Sequence, residues 1–240
     1  MSDGHGFTLT RLASLGARLV AHDWAWARDN AGDIARNWER RLAVAPELFD
    51  GPVLLARGCE IRDGACTVQF FETRFSCFLA LRDAGTPDAS VANAFSAIVP
   101  HTGDGAVLLG QMGVHTANAG QIYFPCGTPD RSDVREAGVV DLAGSAAREF
   151  AEETGLALPD APASWTLIAG EGQLAFLRPV PFDDDAATLQ RRIAGHNARE
   201  GRPELARTVI ARSLADCDAG RMPGFVRAYL ASVFGAGEAG

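Results

Sequence analysis

Apolar residues recur along this chain with two periods, and each period predicts a kind of element. In "NAGDIARNWERRLAVAPELFDGP" the apolar residues Ile34, Trp38 and Leu42 stand four apart. That spacing predicts one stripe of a helix. Asp33 is placed to cap its start, and Pro46 and the turn "FDGP" end it. "VLLARGCEIRDGACTVQFFE" is instead two strand-like runs about Asp63-Gly64, the signature of a β-hairpin. "TRFSCFLALRDAG" returns to helical spacing, with Phe75, Phe78, Leu79 and Leu81 turned inward.

A second strand region begins near Ala94. "NAFSAIVPHTGDGAVLLGQMG" has two apolar runs about "HTGDG", and "QIYFPCG" is a short strand opening a long, turn-rich loop. A helix follows from about Leu142 to Thr154. "SWTLIAG" and "QLAFLRPV" are strands about Glu171-Gly172, and "DDDAATLQRRIAGHNARE" is a helix whose Asp run caps it. "ELARTVIARSLADC" leans towards strand through Thr208, Val209 and Ile210. "PGFVRAYLASVF" is a closing helix with Pro223 near its first turn, and "GAGEAG" a frayed tail. Residues 1–28 carry no clear period. There the alternating Trp24 and Trp26 suit a short strand or a partner-facing arm, or aromatics packed on the chain's own core.

Strands in hairpins, interleaved with helices and without internal repeats, predict an α+β fold with mixed sheets rather than a doubly wound parallel one. Residues 1–92 form an N-terminal α/β subdomain of helix, hairpin and helix, and residues 93–240 the larger domain.

Composition narrows the function. The 240 residues are 47% hydrophobic and 22% charged, ordinary for a globular chain that buries a sizeable core. The net charge of −8, with no run of Lys or Arg, argues against a nucleic-acid partner. Five widely spaced cysteines without a CxxC give neither a disulfide framework nor a zinc ribbon. No uncharged apolar stretch reaches the roughly 18 residues of a membrane span. The N-terminus lacks a charged segment followed by an apolar one. A cytoplasmic chain without membrane partners is expected, and a homodimer is allowed.

The chemistry concentrates in "AAREFAEETGL", Ala146 to Leu156. A helix turns about 100° per residue, so Glu149, Glu152 and Glu153 share one face while Leu142, Ala146, Ala147 and Phe150 lie on the adjacent apolar one. Like charges at i,i+4 destabilise a helix by a few tenths of a kcal/mol. A hard divalent cation reverses that effect, because Mg²⁺ binds carboxylate oxygens together with substrate phosphate. A solvated acidic face and a metal site are both open on this geometry.

"REFAEETGL" resembles the second half of the Nudix box, G-x5-E-x7-R-E-U-x-E-E-x-G-U with U apolar. Arg148, Glu149, Phe150, Glu152, Glu153, Gly155 and Leu156 match it position by position, and Gly127 in "YFPCG" resembles its first glycine. The resemblance implies a Nudix-like α/β/α sandwich and hydrolysis of a nucleoside diphosphate linked to another moiety. It implies Mg²⁺ or Mn²⁺ held by Glu149, Glu152 and Glu153, and catalytic roles for Glu152, Glu153 and Arg148, with Arg148 orienting a helix glutamate. Candidate general bases are Glu153, Glu200 and Glu204. The loop from Gly127 to Arg148 is seven residues longer than the box. Counting back eight from Arg148 gives Val140 where the family has a glutamate, and Asp141 next to it is in place to cap the helix.

"ARNWERRLAVAPELFDGP" is similar to a stretch of Nudix-type UDP-glucose pyrophosphatases, through Trp38, Arg41, Leu42, Pro46, Leu48, Phe49 and Gly51. That likeness implies an N-terminal subdomain closing over a UDP-sugar, which is cut to a nucleoside monophosphate and a sugar 1-phosphate. The competing reading is a catalytically weak Nudix-fold nucleotide-binding or regulatory module, which the long loop and Val140 favour.

Overall fold

Alternating runs become strands and the apolar stripes become helices in the computed structural model, which describes residues 6–235. In chain order come β1 (Thr8–Leu12), β2 (Ser14–Leu19), α1 (Ala25–Asp29), α2 (Ala31–Val44), β3 (Pro52–Arg62), β4 (Ala65–Arg74) and α3 (Phe75–Asp83). Then follow β5 (Asn93–His101), β6 (Val107–Met112), β7 (Ile122–Tyr123), α4 (Leu142–Thr154) and β8 (Trp165–Gly170). The chain closes with β9 (Gln173–Pro181), α5 (Ala186–Asn197), β10 (Leu205–Ala211) and α6 (Gly224–Phe234). The expectations for Met1 to His5 and for the tail at 236–240 lie outside the described residues. None of the described helices is long and apolar enough to cross a membrane.

A seven-stranded sheet runs β1-β8-β9-β5-β6-β10, with β7 paired to β6, and a three-stranded sheet runs β2-β4-β3. Each sheet is mixed: β5 lies parallel to β9 and β2 parallel to β4, while the other pairs are antiparallel. The hairpins form where the sequence places them. Asp63 and Glu171 take positive φ beside Gly64 and Gly172, the backbone of tight two-residue turns.

Alternation along the central strands builds the layers. Ala94, Ile98, Leu108, Leu167 and Phe176 face a core completed by Leu142, Ala146 and Phe150 of α4 and by Leu189 and Ile193 of α5. Phe95, Ala97, Val99, Leu109 and Leu177 face the other way, onto Phe225, Val226, Tyr229 and Leu230 of α6. Helices thus cover both faces, giving an α/β/α sandwich of the α+β class. The small sheet is covered on both faces as well. Val53, Leu55 and Phe71 pack with Phe78 and Leu79 of α3, whereas Leu54, Val68 and Phe70 join the α4 core. β5 starts at Asn93, but β1 pairs with β8 from Thr8↔Ala169 to Leu12↔Trp165, so the chain's first strand belongs to the larger sheet.

Two local expectations resolve. Of the readings of Trp24 and Trp26, packing on the chain's own core holds, and the stretch leads into α1 and is neither strand nor arm. Trp24 is buried, stacks on Trp26 and donates its indole N–H to Asp88 at 2.8 Å. α2 begins two residues before Asp33, with Asn30 at the N-cap position, so Asp33 sits in the first turn and pairs with Arg36 instead of capping.

Candidate functional site

α4 is fixed at both ends by residues of its own. Asp141 caps the start, accepting the Gly144 N–H at 2.8 Å, and Arg135 holds that carboxylate from the other side at 3.2 Å. Gly155 ends the helix in the left-handed conformation, φ 66°, which suits a residue without a Cβ. Phe150 is fully buried beneath the helix and anchors its apolar face.

The three glutamates diverge. Glu149 lines a cavity of about 410 Å³ that is also walled by Gly127, Cys126, Tyr123 and Glu204. Glu153, one turn on, is buried, and its Oε2 has no partner. Glu152 turns outward: its side chain is 61% exposed and pairs with Arg148 at 3.3 Å. So the helix brings Glu149 and Glu153 together and leaves Glu152 at the rim.

Burial and crowding raise the inner pair. Burial, with Glu204 and Glu149 nearby, pushes Glu153 up to about 9. Burial also raises Glu149, and the Arg148 guanidinium offsets this only in part. The Cys126 thiol is held well above its usual range by burial, and so stays protonated. Glu204, just before β10, joins the cavity from another strand, and its backbone carbonyl accepts the Gly113 N–H at 2.7 Å. Glu200 does not reach the cavity: it lies on the surface, 3.3 Å from His196.

Gly127 is where the chain passes closest to Glu149. A Cβ there would stand 3.0 Å from the Glu149 carboxylate, so only glycine leaves that side chain its position.

Arg148 is held by a residue the sequence reading overlooked. It donates to Glu149 at 2.5 Å and, through Nη2, to Asp133 at 3.1 Å. Asp133 is buried and also accepts the Ser145 hydroxyl at 3.1 Å and the Asp130 N–H at 3.1 Å. Burial by itself would lower the Arg148 guanidinium, but Asp133 and Glu149 hold it above its ordinary value. The signal for Asp133 is in the sequence. Five residues separate it from Gly127, the spacing of the first acidic position in the Nudix box counted forward from the glycine. The extra seven residues, 134–140, lie after it. They loop out and close where the Asp141 N–H donates to the Asp133 carbonyl at 2.8 Å. Val140 is buried and bonds Ala17 of β2 through its N–H, so it anchors this loop.

Among the described residues no three His, Cys, Asp or Glu side chains stand ready-made in metal-ligand geometry. The donor chemistry nevertheless fits a hard divalent cation. Glu149, Glu153 and Glu204 offer carboxylate oxygens, they repel one another, and one buried oxygen of Glu153 is without a partner.

No protein-family model matches the sequence, and no curated protein matches it. Among solved structures, the chain is similar to the MutT protein from Methanosarcina mazei Go1, at 14% identity and a TM-score of 0.37. The match spans 59% of this chain and 94% of that one.

Proposed function

We propose that this protein is a divalent-metal-dependent pyrophosphohydrolase of the Nudix type. It would hydrolyse the diphosphate linkage of a nucleoside diphosphate derivative, a UDP-sugar-like nucleotide sugar giving a nucleoside monophosphate and a sugar 1-phosphate. The observation that carries this reading is the buried Glu153 with its unpartnered Oε2, close to Glu149 and Glu204, the two glutamates of this group that line the cavity. A chain gains nothing by burying an unpaired carboxylate among like charges unless something positive joins it.

Glu149, Glu153 and Glu204 are the residues that would hold Mg²⁺ or Mn²⁺, with Glu152 at the rim. When bound, such a cation polarises phosphoryl oxygens and acidifies a water. The chain's own residues do the rest. Arg148, fixed by Asp133, orients the Glu149 carboxylate. Gly127 keeps the space beside that carboxylate open. Glu204 at the cavity and the buried Glu153 near it are the carboxylates able to take a proton from the attacking water; Glu200 is too far out on the surface. α3 of the N-terminal part supplies Phe75, Phe78 and Leu81 to the same cavity. This supports a substrate whose non-phosphate end rests on that part of the chain.

Long-loop geometry no longer favours a non-catalytic module, since Asp133 occupies the acidic position and the seven extra residues close on themselves. The test is ³¹P NMR of a panel of nucleotide sugars, dinucleotides and nucleoside triphosphates with Mg²⁺. Monophosphate products that appear only with metal and vanish in Glu153→Gln are expected. Metal-independent products, or none from any compound, would refute the reading.

A further inference from the structure

The cavity beside the acidic helix has one cationic side chain. Of the described residues that line it, Arg82 of α3 is the sole Lys or Arg, against Glu149, Glu171 and Glu204. Its neighbours answer that charge only weakly. Asp83, the adjacent carboxylate, is occupied by Arg41, which donates to it from both Nε and Nη2, and by the Asn37 amide at 3.0 Å. Arg82 Nε stays 4.0 Å from Asp83, beyond hydrogen-bond reach. Its one hydrogen bond runs from Nη1 to the Asn118 carbonyl oxygen at 3.2 Å, and its guanidinium lies 5.7 Å from the centre of the Phe78 ring. A guanidinium carries five N–H donors in a fixed fork. The other donors have no hydrogen-bond partner among the described residues, on a side chain that lines the cavity and is only 35% exposed. Burial and the nearby Arg41 both work against its charge.

A polar chain links this cation to the carboxylate end. Asn118 accepts from Arg82 and donates its amide to the Tyr123 hydroxyl at 3.2 Å, and Tyr123 borders Cys126, Glu153 and Glu204. Asn118 thereby fixes one prong of the guanidinium and leaves the others free. The cavity so combines oxygens that attract a cation with one fork that attracts an oxyanion, the complement of a metal-bound phosphate ester.

We propose that Arg82 is the oxyanion-binding residue of this cavity, its free guanidinium N–H groups pairing two-pronged with an oxyanion of the bound ligand. The inference rests on the reading of the cavity as a nucleoside diphosphate site. The oxyanion is either the diphosphate itself or a carboxylate carried on the far moiety, as in a nucleotide uronate. Arg82 touches the ligand but forms and breaks no bond, so it sets affinity and selectivity and not the chemical step.

Three probes that cannot be hydrolysed separate the cases: methylenediphosphonate, and the methylene-bridged analogues of UDP-glucose and UDP-glucuronate. Each is titrated calorimetrically, with Mg²⁺, into the full wild-type chain, Arg82→Gln and Arg82→Lys, with melting temperatures recorded for each variant. A charge-assisted pair predicts that Arg82→Gln binds roughly tenfold to a hundredfold more weakly. Arg82→Lys, which keeps the charge and loses the fork, should fall in between; it also carries the test if Arg82→Gln does not fold. Equal losses for all three probes identify the diphosphate as the partner. A loss confined to the glucuronate analogue identifies the distal carboxylate. Unchanged affinities in a folded variant overturn the proposal, as does a wild-type chain that binds none of the three. Because binding is read without turnover, that outcome is distinct from failure to hydrolyse the natural linkage.

Discussion

Arg148 and Asp133, fifteen residues apart in the chain, meet at 3.1 Å and tie the acidic helix to the loop that precedes it. Asp133 is buried and satisfied on both oxygens, so its role is to hold Arg148 against Glu149. Asp133→Ala removes three hydrogen bonds and frees the guanidinium. We expect a loss of about 1–3 kcal/mol in denaturant unfolding, with turnover falling further than stability explains. An unchanged unfolding midpoint would show that the pair does not matter.

Gly127→Ala tests the close approach to Glu149. The added methyl would meet the carboxylate at 3.0 Å, and that side-chain end can move away without backbone strain. Melting should therefore stay near wild type, while metal-dependent hydrolysis falls by roughly a hundredfold, as expected for a displaced catalytic group. Wild-type rates in this variant would mean that Glu149 is not needed where it lies.

Phe150 is fully buried between α4 and the central sheet. Phe150→Ala should cost about 3–5 kcal/mol, the truncation of a buried aromatic. Chemical denaturation measures it, and a loss under about 1 kcal/mol would contradict the packing of that face.

His101 supplies a pH dependence with a definite sign. Burial beside Tyr229, whose hydroxyl lies 2.8 Å from Nε2, lowers the His101 pKa below its ordinary value. Unfolded chains then bind more protons than the native protein as pH drops through about 6.5, so this contribution to stability is present above that pH and is lost below it. Melting temperatures at pH 7.5 and pH 5.5 should differ less for His101→Gln than for wild type. Equal pH dependence in the two proteins would rule His101 out as a source.

Local periodicity made most of the secondary structure legible. The Leu142–Thr154 helix, its Asp141 cap, its Gly155 stop and the hairpins at Asp63-Gly64 and Glu171-Gly172 all rest on contacts within a few residues. β1 and β2 were not legible, because each is defined by a distant partner: Thr8–Leu12 by β8, Ser14–Leu19 by β4. The site shows the same division. Helical spacing groups Glu149 with Glu153, but it also predicts a shared face for Glu152, which instead stands exposed beside Arg148. Asp133 was within reach of the spacing once counted from Gly127; counting from Arg148 missed it because the extra residues lie on that side. Arg82 reaches the cavity through the docking of α3, for which no local pattern exists.

Calorimetric titration of Mg²⁺ or Mn²⁺ into the full-length chain bears most directly on the carboxylate site. Saturable binding is expected in wild type, weakened roughly tenfold or more by Glu153→Gln. That variant should melt no lower than wild type without metal, because burial already holds Glu153 protonated there and the amide replaces a neutral acid of the same shape. A wild-type chain that takes up no cation at millimolar concentration, or a Glu153→Gln chain that binds as tightly, would contradict the assignment of Glu149, Glu153 and Glu204 as a metal site.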